Sequence, residues 1–218
     1  MNLADYLHYR GNRTTISKPM YLDPDHKRLF SIETTRDYLP FILMFCVTIL
    51  AVAILRWEGR VWWCQVGDLV PWSWNIWSPH TSQHLIDPYT FTHVFHGVLE
   101  FWIIGFIFRK LPLSWRLLLA VMFECSWEIA ENSTYIIQRY RESTISLNYF
   151  GDSVINSLAD ILACATGFLI AYKLRFWKSL AVFLITEIVL ILTIRDSLII
   201  NIIMLISPIE AIKVWQLG

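Results

Sequence analysis

Residues Ser78–Glu100 read SPHTSQHLIDPYTFTHVFHGVLE, and this stretch decides how the chain is organised. Four of the six histidines lie in it, His80, His84, His93 and His96, and a long apolar run begins before the last two have passed. His93, His96 and Glu100 are spaced i, i+3, i+7, so an α-helix would hold them on one face. Ionisable groups at the mouth of an apolar helix are costly, and their default reading is functional.

The surrounding composition tells the same story. The 218 residues are 56% hydrophobic, and the mean hydropathy is +0.47. That is too apolar for a soluble domain and fits an all-α integral membrane protein. Formal net charge is zero, so composition points to no nucleic-acid partner. Cys46, Cys64, Cys125 and Cys164 are scattered without a CxxC pair; three sit in apolar runs as small core residues, and Cys64 is expected as a surface thiol. The first residues, MNLADYLHYRGNRTT, contain no apolar stretch of a cleavable leader.

The apolar runs predict a bundle of about five transmembrane helices: Tyr38 to Trp57, Thr90 to Phe108, Ser114 to about Tyr135, Gly151 to Tyr172, and Phe176 to Ile194. Leu198 to Ile206 is apolar but too short to cross, and reads as a re-entrant or interfacial piece before a last amphipathic turn, Ile209 to Gln216. Between the first two spans, Glu58 to Pro88 holds five tryptophans, which favour the headgroup interface, while Pro71, Pro79 and Pro88 break any continuous helix. Gln138 to Phe150 is expected as a loop. Residues 1–36 form a polar tail, with His8 and His26 solvated, ahead of a helical membrane domain over residues 37–218. Basic residues in the tail, the Arg109–Arg116 turn and the Lys173–Lys178 turn place all three in the cytoplasm, with the tryptophan loop and the C-terminus on the outer side. Arg139 and Arg141 run against that orientation.

One consequence was not used in building this topology. His80, His84 and Asp87 fall in the outer loop, and His93 and His96 in the outer turns of the second span. Glu124, Glu128, Glu131 and Asn132 fall toward the outer end of the third, and Asp152, Asn156 and Asp160, at i, i+4, i+8, along one face of the fourth. Acids far outnumber the cations available inside the spans, where an unpaired charge costs ~3 kcal/mol on insertion scales. They must be protonated, wetted, or paired with an outside cation. A divalent metal held by imidazole and carboxylate meets that need, and the ligand types suit Zn, Mn or Fe.

Each candidate carries a plain structural alternative. His93 and His96, grouped with His80, His84, Asp87 and Glu128, are expected to ligate a metal or transfer protons; the alternative is hydrogen-bonded interface histidine. Glu124 and Glu131 can be inter-helix glue, and Glu100 and Glu187 protonated or paired structural groups. Asp152 follows a glycine at a helix start, so an N-cap explains it equally. Asn156 and Asp160 have no such explanation. Arg195 either neutralises an acid such as Asp160 or binds an anionic substrate; Arg139 and Asn132 are the other substrate-binding candidates.

Three stretches, SQHLIDPYTFTHVFHG, WEIAENSTYIIQRYRESTISLNYFGDSVINSLAD and IRDSLIINIIMLISPIEAIKVWQ, resemble one group. These are the bacterial multi-pass membrane proteins of uncharacterised protein family 0314, or domain of unknown function 2585. The resemblance covers roughly Arg60 to Gln216 and implies the bacterial inner membrane; it implies no particular reaction. That family carries a CxCG element after its first span, where this chain has WWCQVG, so the resemblance argues against a cysteine ligand. The tail before Arg36 looks like an addition. More remotely, Glu128, Arg139, Asp152, Asn156 and Gly167 resemble the acid–Arg–Asp–Asn order of VanZ-like membrane proteins.

These readings converge on a membrane enzyme acting by hydrolysis or transfer on a lipid or lipid-linked substrate at the outer leaflet. His93, His96, Glu128, Asp152, Asn156 and Asp160 are its expected catalytic set. Di-iron oxidation chemistry is the second enzymatic option, although the chain lacks paired ExxH repeats. An ion-coupled carrier using the same acids, and a non-catalytic assembly subunit, are the alternatives from other classes.

Overall fold

The computed structural model describes residues 35–144 and 149–218; the tail over 1–34, with His8 and His26, lies outside the described residues. Among the described residues seven helices follow one another: α1 (Thr35–Trp57), α2 (Thr90–Ile107), α3 (Leu113–Glu131), α4 (Thr134–Ser143), α5 (Val154–Ile194), α6 (Leu198–Ile206) and α7 (Glu210–Leu217). Among the described residues there is no strand, only an isolated bridge between Trp72 and Ile86. By length and composition α1, α2 and α5 are able to cross a membrane, as expected of a membrane protein.

The ends of these helices follow from local chemistry. Ser153, Ser197 and Ser133 cap α5, α6 and α4, each accepting from a backbone N–H in the first turn. α4 corrects the expectation of a loop from Gln138: its ten residues, TYIIQRYRES, are polar on balance, and the Ser133 cap starts a helix that hydropathy alone does not reveal. α5 has 41 residues, about 60 Å at the usual rise, and its backbone breaks at Arg175, whose φ of 64° lies in the left-handed region. The break falls inside the basic Lys173–Lys178 turn that the sequence marks as a boundary.

α2 and α5 form the heart of the bundle. A Cβ placed on Gly97 would stand 1.8 Å from the Cys164 carbonyl oxygen, and one on Gly167 1.8 Å from that of Val94. The two backbones therefore touch, as small residues permit between membrane helices. Below the crossing Phe95, Phe101, Ile104 and Phe168 make an apolar core with Ala120 of α3 and Leu198 of α6. Ala51 of α1 packs on Val121, Cys125 and Ile161.

The other end of the bundle is polar and tightly tied. The loop between α1 and α2 folds across the start of α5: Ser153 N–H donates to Ser82 (3.0 Å) and Val154 N–H to Val61 (2.8 Å). Gln83 Nε2 reaches Gly151 O (2.8 Å). α6 packs against α4, and its first turn is capped by Glu187 of α5, whose carboxylate accepts from the N–H groups of Leu198 (3.0 Å) and Ile199 (3.2 Å).

Candidate functional site

Helical periodicity places His93 and His96 on one face of α2, opposite Glu124 and Glu128, one turn apart on α3. Glu124 bridges the imidazoles, its Oε1 2.5 Å from His93 Nδ1 and its Oε2 3.0 Å from His96 Nδ1. Glu128 Oε1 lies 3.3 Å from the same His93 nitrogen, and Asp160 Oδ2 of α5 lies 3.9 Å from His93 Nε2. A neutral imidazole offers one proton, and His93 is within reach of three carboxylates. The shortfall shows in the acids: both oxygens of fully buried Glu128 and Oδ1 of Asp160 have no hydrogen-bond partner. Unsatisfied buried groups of this kind call for an explanation such as an ion.

A cavity of about 310 Å³ opens beside this cluster. Its wall carries five carboxylates, Glu100, Glu124, Glu131, Asp152 and Asp160, with the His93 and His96 imidazoles, and among the described residues neither Lys nor Arg lines it. Leu198, Ile202 and Leu205 of α6 make an aliphatic side, while Thr81 and Ser82 of the loop form part of the roof. One end is acidic and the other oily.

The expected residues are distributed as follows. His93, His96, Asp152 and Asp160 line the cavity, and Glu128 stands behind His93. Asn132 and Asn156 are structural links. Asn132 accepts from Asp152 N–H (2.7 Å) and donates to its carboxylate (2.9 Å), and Asn156 Nδ2 donates to the His84 carbonyl (2.8 Å). Burial, only partly offset by the Tyr149 hydroxyl and the Asn132 amide, raises the Asp152 pKa above the ordinary aspartate value.

Several expectations need correction. Asp87 is occupied as a cap, accepting from Ser82, Tyr89 and Thr90 N–H at 2.9, 2.8 and 3.1 Å, and it stands in no potential ligand group among the described residues. Burial, with Asp152 nearby, raises its pKa. Arg139 Nε donates to Leu205 O (2.9 Å) and Arg195 Nη1 to Trp215 O (3.1 Å), so each guanidinium closes a helix C-terminus, and neither lines the cavity. With Arg139 turned to α6, the VanZ-like order of residues does not assemble as one constellation. His80 and His84 separate from His93 and His96 and join Asp68 and Cys64, the latter buried instead of a surface thiol.

Glu124 is the candidate site residue that the sequence undervalued. Its signal was the i, i+4, i+7 row Glu124, Glu128, Glu131, which places it level with His93 and His96. Ligand atoms of His93, His96 and Glu124 lie within 4.8 Å of one another, as do those of His93, Glu128 and Asp160. Either set supplies three protein ligands beside a cavity, the arrangement of an open metal site.

The family described as protein of unknown function (DUF2585) matches residues 55–218. A UPF0314 protein of Paracoccus denitrificans is 42% identical, the match covering 85% of this chain and 96% of that protein. One from Rhizobium meliloti is 44% identical over 81% of this chain and 90% of its own length, and one from Brucella anthropi 42% over 81% and 90%. No solved structure matches. A match that takes in the roof loop, the acidic row of α3 and the whole of α5 leaves one conclusion: the chain belongs to the DUF2585 (UPF0314) family.

Proposed function

We propose that this chain is a multi-pass enzyme of the bacterial inner membrane. It holds a divalent metal, Zn, Mn or Fe, with His93, Glu128 and Asp160, or with His93, His96 and Glu124, and hydrolyses or transfers a group on a lipid or lipid-linked substrate. The observation that carries this reading is the crowding of three carboxylates on the single His93 imidazole, above all the two Glu128 oxygens that have no hydrogen-bond partner. A bound divalent ion would polarise a substrate oxygen or activate water. With Arg139 and Arg195 committed to carbonyls, an anionic head group would be received by that ion. The aliphatic wall of α6 suits the chain of an amphiphile whose head lies among the acids.

Five crossings are part of the proposal: α1, α2, α3 and the two arms of α5, with α6 re-entrant. Support comes from the length of α5, about twice the ~30 Å hydrocarbon core, and from its break at Arg175. The basic turns would face the cytoplasm and the cavity the outer side. Impermeant thiol labelling of Lys213→Cys from outside, with Lys110→Cys protected, is the expected result; the reverse pattern inverts the orientation.

A carrier is the second reading, favoured by Glu100, which lines the deep side of the cavity and accepts from Cys164 Sγ (3.2 Å) one turn inward of His96. Lipid mass spectrometry on cells expressing wild type or Glu128→Gln separates the two. The enzyme reading expects a lipid species consumed only with wild-type protein and metal. Identical lipid profiles, with metal or proton flux into proteoliposomes that Glu128→Gln abolishes, would reassign the chain as a carrier.

A further inference from the structure

The roof loop brings together a second set of ligating atoms that shares no residue with the first. Cys64 Sγ lies 3.3 Å from His80 Nδ1, which is also 3.2 Å from His84 Nε2 and 3.2 Å from Asp68 Oδ2. His84 Nε2 lies 3.4 Å from Asp68 Oδ1. Hydrogen bonding does not account for this crowd. An imidazole nitrogen has one in-plane position, holding a proton or a lone pair, yet three heavy atoms surround His80 Nδ1. His84 donates its Nδ1–H to the Val70 carbonyl, so in the neutral ring Nε2 presents a lone pair, and it faces a carboxylate oxygen. Asp68 Oδ1 itself has no hydrogen-bond partner. At most one thiol proton and one imidazole proton serve the four ligating groups that converge here.

We infer that Cys64, Asp68, His80 and His84 bind one zinc ion as a closed structural site. Tetrahedral zinc with bonds of about 2.0–2.3 Å sets its ligand atoms roughly 3.3–3.6 Å apart, close to the separations found here. A thiolate, two imidazoles and a carboxylate suit zinc better than a hard cation such as magnesium. The Val70 carbonyl fixes the His84 tautomer, as the outer partners of metal-bound histidines do, and Trp63 packs edge-on against its ring at 5.4 Å. Four ligands from four positions leave no place for substrate. What the ion fastens is the roof: the His84 carbonyl is held by Asn156, and Ser82, which lines the cavity, accepts from Ser153 at the head of α5. Zinc would thus join the loop to Asp152 and to the head of the helix that carries Asp160. This inference stands apart from the proposed enzymatic activity.

Cobalt substitution in the purified full-length protein tests it. Wild type is expected to show thiolate-to-cobalt charge-transfer absorption that Cys64→Ser abolishes and His84→Ala weakens or abolishes, while Glu128→Gln retains it. Absence of the band from wild type, or its persistence in Cys64→Ser, overturns the inference; its loss in Glu128→Gln alone would move the metal to the inner cluster. A second measurement avoids variants. Zinc should slow alkylation of Cys64, read by peptide mass, at least roughly tenfold relative to chelator-treated protein and leave Cys46 unchanged. Equal rates would mean that Asp68 and a doubly protonated His84 form a simple ion pair.

Discussion

The chain builds two histidine pairs within seventeen residues of one another by opposite means. His93 and His96 stand on a regular helix, where a spacing of three guarantees a shared face, and their partners arrive from two neighbouring helices on the same periodicity. His80 and His84 stand on irregular backbone. Their positions depend on turns, on the Val70 carbonyl, and on the bonds that fasten Ser82, Gln83 and His84 to the start of α5. The inner pair faces a cavity with carboxylates to spare. The outer pair completes a set of four potential ligands with Cys64 and Asp68, beside a tryptophan. Similar donor types thus make an open site in one place and a closed one in the other, and the difference lies in the backbone that presents them.

The largest predicted effect would remove both sites together. Gly97→Leu places side-chain atoms where the Cys164 carbonyl stands, prising α2 from α5; a loss above about 4 kcal/mol is expected, seen as failure to accumulate folded protein in membranes. Folded, metal-binding Gly97→Leu would show that the crossing does not couple the two pairs.

Glu128→Gln should separate them. Removing a buried, uncompensated carboxylate is expected to stabilise the metal-free protein by about 3 kcal/mol, while the rise in Tm on adding inner-site metal disappears. The cobalt–thiolate signal of the outer site should be unchanged. Glu128→Gln protein that still gains stability from metal at the inner site would remove that carboxylate from the ligand set.

A pH experiment sharpens the contrast between the sites and their supporting structure. Burial pushes Asp196 up to about 6, against backbone and hydroxyl donors that pull the other way. The folded chain then keeps this proton to higher pH than the unfolded chain, so stability falls as pH rises from about 4 to about 6 and levels off above. Asp196→Asn should flatten that slope and, above pH 6, melt higher than wild type by on the order of 3 kcal/mol. An unchanged Tm–pH profile in the variant refutes it.

Arg139→Ala is predicted to have the smallest effect, about 1 kcal/mol from two lost bonds to the Leu205 and Ile206 carbonyls, with metal stoichiometry at both sites unaltered. Loss of inner-site metal in this variant would return Arg139 to the site.

What the sequence disclosed follows the same division. The start of α2 at Thr90 and the whole of α6, Leu198–Ile206, were legible because apolar runs mark them directly. His93, His96, Glu128 and Asp160 were legible as a group because helical spacing relates them. Cys64 and Asp68 were not: no periodicity ties a loop residue to a histidine sixteen positions away, and only the folded turns create the neighbourhood. Arg139 and Arg195 misled for a different reason. A guanidinium near a polar cavity invites an anion, yet unsatisfied carbonyls at helix ends compete for the same donors. α4 stayed hidden because its apolar residues are too few to form a long run and its start is set by one serine hydroxyl.

The Gly97–Gly167 contact has a consequence for how finely the chemistry is set. Side chains that separate helices elsewhere can breathe through rotamer changes, but here the spacer is peptide backbone itself, which has no adjustable length. Val94 and Cys164, the residues whose carbonyls meet those glycines, are neighbours of His93 and lie one turn beyond Asp160. The gap between an imidazole on one helix and a carboxylate on the other is therefore gauged against an incompressible stop, much as a machinist sets a jaw against a fixed block.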